Sequence, residues 1–247
     1  MSESVFGKHQ PLSLNGGRDM QVCDIFKSIN GEVCHEHQGS VTTFLRLQGC
    51  NLRCKHCDTK YSQEPEKGTE MKWQDVASKI LSIGCSRITI TGGEPLLQRK
   101  ELKKLTDYLF GSTACRISIE TNGTLPIYPG PLWVIDYKMK GFSGKPVAAP
   151  EDFIKKVIGR HSLADYNYIK FVVADWNDFY CAVEIMRALR KDPRTEAARF
   201  AFSPCSPTIN PAELADRLVS NLDTQNAILN LQLHKILWPK SGEGDEK

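Results

Sequence analysis

Val41-Thr-Thr-Phe-Leu-Arg-Leu47 runs directly into Gln48-Gly49-Cys50-Asn-Leu-Arg-Cys54-Lys-His-Cys57-Asp58-Thr59. The first run is rich in β-branched and apolar residues and reads as a strand. The second is polar and thiol-rich and opens a loop over about 48–69. Downstream the alternation recurs. Val76, Ile80 and Ile83 fall at helical spacing and predict a helix over 71–83. Ser86-Arg-Ile-Thr-Ile-Thr91 is a strand that stops at Gly92-Gly93. Leu102, Leu105 and Leu109 share one side of a helix predicted over 96–110. Arg116-Ile-Ser-Ile-Glu120 is a strand that stops at Thr121-Asn122-Gly123. Further strands are expected over 132–136, 168–173, 199–203 and 228–233, with helices over 150–158, 176–190 and 211–222. Asn210, ahead of Pro211, suits the N-cap of the last helix.

Strands alternating with helices imply a parallel sheet with right-handed crossovers. The expected fold is α/β: an incomplete (partial) α/β barrel of about six parallel strands with outer helices. The chain has 247 residues, 40% hydrophobic and 25% charged, a size that α/β barrels reach as one unit. A single domain is expected over 1–238, with a polar, disordered tail over 239–247. The net charge of +3 is too mild for a nucleic-acid-binding face. No run is long and apolar enough to span a bilayer, and Met1-Ser2-Glu3-Ser4-Val5 lacks the start of a secretory signal. The expectation is a cytoplasmic protein with neither nucleic acid nor membrane as partner. There its nine cysteines are reduced, and clustered ones point to metal or catalysis rather than to disulfides.

Active sites of parallel α/β folds gather at the C-terminal ends of the strands. The Cys loop, Gly92-Gly93-Glu94, Thr121-Asn122, Lys138 and Ser203-Pro204 all fall at such ends. Cys50, Cys54 and Cys57 stand as C-x3-C-x2-C, short enough for three sulfurs to converge on one metal centre. Iron–sulfur clusters usually take four thiolates; three leave one iron open, as a reactive site requires. A Cys3His zinc site through His56 is the rival, although His56 abuts Cys57 and would point away. An inert Cys-rich loop is the bland alternative.

A C-x3-C-x2-C run after a first strand resembles the radical S-adenosylmethionine (SAM) superfamily, and Thr91-Gly-Gly-Glu-Pro95 resembles its second motif. Within it the chain resembles the 7-carboxy-7-deazaguanine synthase family over 25 to about 238. The markers are Phe26-Lys-Ser-Ile-Asn-Gly-Glu32, Phe44-Leu-Arg46, Cys57-Asp-Thr59, Asp136-Tyr-Lys138, Ile169-Lys-Phe171 and Leu231-Gln-Leu-His-Lys235. The resemblance implies a [4Fe–4S] cluster on Cys50, Cys54 and Cys57, with SAM chelating the open iron. It implies Mg2+ held by Thr59 and a substrate carboxylate. SAM contacts would come from His56, Cys57, Asp58, Gly92, Gly93, Glu94, Glu120, Thr121, Asn122, Asp136, Tyr137, Lys138 and Ser203. The implied substrate is 6-carboxy-5,6,7,8-tetrahydropterin, contacted by Ile29, Asn30, Gly31, Glu32, Arg46, Thr91 and His234. Glu32 would accept from the pterin ring. Arg46 would pair with the carboxylate through its fork of donors; inside an apolar strand an Arg is otherwise costly. His234 is read as part of the last strand, where packing alone would also explain it.

The implied reaction abstracts hydrogen from C6, contracts the ring, returns the hydrogen so that SAM is regenerated, and loses ammonia. That is a lyase of queuosine and 7-deazapurine biosynthesis. A one-electron donor such as a flavodoxin or ferredoxin, and a homodimer, are further expectations of the resemblance. Two stretches depart from the family pattern. Asn30-Gly31-Glu32-Val33 stands where many members read Gln-Gly-Glu-Gly, and Asp136-Tyr137-Lys138 replaces the usual Ser-Pro-Lys. Cys85, Cys115 and Cys181 read as packing residues, Cys205 as packing or site-adjacent, and Cys23 and Cys34 have no assigned role. The rival functions are a glycyl-radical activase, which consumes SAM on a protein substrate, and a zinc-binding interaction module.

Overall fold

The computed structural model describes residues 19–35 and 37–239. The expectations for the N-terminal start and for the tail beyond 239 lie outside them. The strands are β1 (Met20–Ile29), β2 (Val41–Leu47), β3 (Thr69–Met71), β4 (Arg87–Gly92), β5 (Arg116–Thr121), β6 (Leu132–Asp136), β7 (Tyr168–Val173), β8 (Arg199–Pro204) and β9 (Ala227–Leu229). They form one sheet in the order β3-β1-β2-β4-β5-β6-β7-β8-β9. From β2 onward the neighbours in this order pair in parallel. The helices are α1 (Trp73–Ser82), α2 (Arg99–Ser112), α3 (Lys140–Ser143), α4 (Pro150–Phe153), α5 (Trp176–Leu189), α6 (Pro211–Ser220) and α7 (Leu233–Leu237). The expected partial barrel with outer helices is present, with seven parallel strands among the described residues.

Two antiparallel strands, outside the expected pattern, make the sheet mixed. β1 pairs antiparallel with β2, from Val22 opposite Leu47 to Ile29 opposite Val41. β3 adds to its other side. The register of β1 shifts between Val22 and Asp24. Its buried residues therefore fall at Met20, Val22 and Ile25, and this bulge hides the period of two. Residues 69–71, assigned from sequence to the loop and the first helix, form β3 instead, and α1 starts at Trp73.

The last strand also differs. It ends at Leu229, and the expected strand residue His234 lies in α7. Asn230 takes the chain out of the sheet. Its Oδ1 accepts from the Val33 backbone at 2.8 Å, and its Nδ2 donates to Ser203 Oγ at 2.7 Å. Both bonds need a buried amide that a continuing strand would not place there. The N-cap of α6 is as expected: Asn210 Oδ1 accepts from the Ala212 backbone at 2.9 Å.

One face of the sheet is apolar throughout. Leu45, Leu47, Ile88, Ile90, Ile117, Ile119, Ile135, Ile169, Phe171, Phe200 and Phe202 form one cluster with Ile80, Leu105, Leu109, Met186 and Leu214 of the helices. Each fully buried Leu or Ile contributes about 1.5–3 kcal/mol. Parallel strands covered by helices on both faces usually read as unbroken apolar runs. Here polar residues alternate with the core residues: Arg46, Thr89, Thr91, Ser118, Glu120, Asp136, Lys170 and Ser203. The second face therefore carries the chemistry. Among the described residues, no helix is long and apolar enough to cross a membrane.

Candidate active site

A cavity opens on that polar face. It is walled by the ends of β2 and β4–β8, by the Cys loop, by Asn30-Gly31-Glu32 after β1, and by α7 with Trp238. Every residue expected to contact metal, SAM or substrate lines it except Glu94 and Tyr137. Tyr137 turns to the opposite face. It packs at 4.6 Å from Phe153 and 5.7 Å from Phe171 by ring centres, and its hydroxyl donates to Ala148 O at 2.5 Å. Its side chain belongs to the core because β6 alternates and Asp136 already takes the cavity side.

The thiol loop is held from below. Gln48 Nε2 donates to the carbonyls of Tyr61 and Glu64 at 2.7 and 2.9 Å. Gly93 N–H donates to Leu47 O at 3.0 Å, and Glu94 N–H to Gly49 O at 2.8 Å. A Cβ on Gly93 would lie 2.1 Å from Gly49 O, and one on Gly92, at φ +132°, 2.1 Å from Leu47 O. The glycine pair thus lets the end of β4 seat against the base of the loop. Glu94 is buried beneath that contact and accepts from Leu96 N, Thr121 Oγ1 and Asn122 N at 2.9, 2.8 and 2.7 Å. Burial raises its pKa despite these donors. Its carboxylate clamps two strand ends together and does not face the cavity. Above, His56 N–H donates to Phe142 O at 3.3 Å.

Cys50, Cys54 and Cys57 are free thiols that line the same cavity. Burial pushes the Cys50 and Cys54 thiols up. Asn122 Nδ2 reaches Cys50 Sγ at 3.8 Å. Among the described residues no three His, Cys, Asp or Glu side chains stand gathered to hold a metal ion. Three reduced thiols from one loop, facing one space, nonetheless match the donor chemistry of an iron–sulfur cluster. Thr59 Oγ1 donates to Asp58 Oδ1 at 2.9 Å. These two oxygen side chains at the cavity wall suit a hard cation such as Mg2+.

The polar face holds a charged network. Lys170 pairs with Glu32 Oε2 and, at 3.1 Å, with Asp136 Oδ1. Lys138 pairs with Asp136 Oδ2 at 2.6 Å, and its ammonium lies 5.0 Å from the Phe142 ring centre. Burial alone would raise the carboxyls of Glu32 and Asp136, but the lysines outweigh it and hold both below the ordinary value. Glu120 accepts from Thr91 Oγ1 at 2.8 Å. Burial, then the Glu32 charge, push its carboxyl up from 4.5 to about 7.

The residues expected to meet substrate are brought together. Leu233 N–H donates to Gly31 O at 2.9 Å, and a Cβ on Gly31 would lie 2.9 Å from His234 Nδ1. Arg46 lies over the rings of Phe26 and Tyr61 at 5.8 and 5.7 Å. Asn30 spends its amide inside the fold: Nδ2 donates to Thr89 Oγ1 at 3.2 Å and Oδ1 accepts from Glu32 N at 3.1 Å. Lys170, Asn230, Gln232 and Phe142 also line or brace the cavity, with no role assigned from sequence. Lys170 carried the same signal as Arg46, a cation inside an apolar strand. Gln232 stands inside a family marker and Asn230 does not, and the strand expected over 228–233 masked the part both play. Cys205 also lines the cavity.

A family model described as the radical SAM superfamily matches residues 45–166. A 7-carboxy-7-deazaguanine synthase of Clostridium acetobutylicum is 32% identical over 231 residues, covering 91% of this chain and 98% of that protein. One from Koribacter versatilis is 31% identical over 241 residues, covering 91% and 100%. The crystal structure of QueE from Escherichia coli shares the fold at a TM-score of 0.63 and 23% identity, over 87% of this chain and 94% of that one.

Proposed function

The chain belongs to the 7-carboxy-7-deazaguanine synthase family of the radical SAM superfamily, and on that premise we propose its reaction. It is the ring contraction of 6-carboxy-5,6,7,8-tetrahydropterin to 7-carboxy-7-deazaguanine, with loss of ammonia. The observation that supports it most is the meeting of three thiols, a carboxylate acceptor and an arginine in one cavity. When bound, the cluster and SAM supply a 5′-deoxyadenosyl radical, chemistry that belongs to the cofactor. The residues of the chain bind and orient. Arg46 receives the substrate carboxylate, with Phe26 and Tyr61 holding its plane. Glu32 accepts from the amino-pyrimidine edge, and Gly31 and His234 floor the ring. Thr59 offers its hydroxyl oxygen to Mg2+. The Gly92-Gly93 turn and Thr121-Asn122 shape the SAM end, which Glu94 braces from beneath.

The test is anaerobic reconstitution with iron, sulfide, SAM, reductant, Mg2+ and the carboxy-tetrahydropterin, with mass detection of the product. The deazaguanine should form without net loss of SAM. Consumption of SAM against a protein partner would instead identify an activase. Zinc without iron would identify a binding module. A flavodoxin- or ferredoxin-type donor, a homodimeric state and a cytoplasmic location belong to the same proposal.

A further inference from the structure

Lys170 sits in the middle of β7, its side chain only 7% exposed. Its neighbours Ile169 and Phe171 face the apolar core, so alternation drives the ammonium onto the polar face. There it meets carboxylates from two other parts of the chain: Glu32 after β1 and Asp136 at the end of β6. The two acids are not equally provided for. Asp136 has a second cation in Lys138. Glu32 has Lys170 as its one ion-pair partner among the described residues, and the neutral amides of Gln232 and Asn230 at 2.8 and 3.2 Å.

We propose that Lys170 is a positioning residue that fixes Glu32 as an ionised acceptor. The site thereby selects a ring whose edge presents an N–H donor to it, as the 2-amino group of a 2-amino-4-oxopyrimidine does. The inference rests on the pterin reading above and deepens it. An ionised carboxylate only accepts, whereas a protonated one presents an O–H that opposes a donor edge. Removing the lysine leaves Glu32 buried beside Asp136 and Glu120 with no countercharge, and a buried acid in that position takes up a proton. Lys170, Gln232 and Asn230 hold the carboxylate from three directions. Of its roughly four acceptor positions this leaves one, on Oε1, at a group that lines the cavity.

The experiment measures anaerobic binding of 6-carboxypterin and of 6-carboxylumazine to the cluster-loaded protein with SAM and no reductant. In the lumazine an acceptor oxygen replaces the 2-amino donor. The parent should prefer the pterin by about a hundredfold, since a buried acceptor left facing an acceptor is costly. Lys170→Met should shrink that preference below about tenfold. Lys170→Arg should retain most of it. The double variant Lys170→Met with Glu32→Gln should be no worse than Glu32→Gln alone, because the lysine acts through the glutamate. It also removes the uncompensated acid if Lys170→Met fails to fold.

An intact preference in Lys170→Met, or additive losses in the double variant, would overturn the assignment. A parent that discriminates the two rings but forms no deazaguanine would sink the reaction proposal and uphold this one. A parent that binds neither ring would overturn both.

Discussion

The Glu94 carboxylate accepts the backbone N–H of Asn122 at 2.7 Å, joining the turn after β4 to the turn after β5. The same carboxylate takes Leu96 N and Thr121 Oγ1. Glu94→Gln keeps the shape but must turn an NH2 toward at least one of these donors. It should cost about 1–3 kcal/mol of stability, read from urea midpoints at unchanged slope. An unchanged midpoint would show that the turns are held without it.

Glu120 should make stability depend on pH. Its pKa rises from 4.5 to about 7 on folding, chiefly through burial and then through Glu32. The folded state therefore holds this proton more tightly than the unfolded one. The contribution is fully present below pH 4.5 and is lost as pH climbs through about 7. Its size is on the order of 3 kcal/mol. Between pH 5 and pH 8 the parent should lose more stability than Glu120→Gln, compared by denaturation without SAM. Parallel profiles would refute the shift.

Cys54 and Cys181 should separate cleanly. Cys54 lines the cavity, whereas Cys181 packs on α5 against the core. After anaerobic reconstitution the parent and Cys181→Ala should each carry about four irons, as a full cubane requires. Cys54→Ala should lose the cluster absorbance and turnover. Full iron in Cys54→Ala would remove the basis for the proposed function.

Thr59 tests the Mg2+ assignment. Thr59→Val keeps the shape and removes the oxygen that now donates to Asp58. Cluster content and uncoupled SAM cleavage should hold. Product formation should fall on the order of a hundredfold, as expected when a reacting atom is misplaced by about an ångström, and should lose its Mg2+ response. Thr59→Ser should keep more activity. An undiminished Mg2+ response in Thr59→Val would return the hydroxyl to its local partner, Asp58.

The parallel half of the fold was legible because Ile88-Thr89-Ile90-Thr91 and Ile117-Ser118-Ile119-Glu120 alternate without interruption. The same alternation places Thr91 and Glu120 in the cavity and their Ile neighbours in the core. β1 was hidden because its bulge moves the buried residues from an even to an odd spacing. His234 was read as a strand residue because nothing local announces that Asn230 diverts the chain; its partners, Val33 and Ser203, are distant in sequence. Tyr137 and Glu94 show the opposite limit. Both stand inside recognisable motifs, yet one faces the core and the other spends its carboxylate on neighbouring turns.

Among the described residues the sheet leaves β3 and β9 at its two ends without an outer neighbour, and each is three residues long. A long open edge is a row of free N–H and C=O groups on which another chain can lay down a strand, the first step of aggregation. At the β9 end of this unclosed barrel three residues offer little template, whereas at the other end β3 covers β1 only over Met20–Val22. Asn230 then has a second consequence. By ending β9 one residue before itself, it keeps that edge too short to recruit a stranger, and a substitution that let the strand run on would trade a solvated margin for a sticky one.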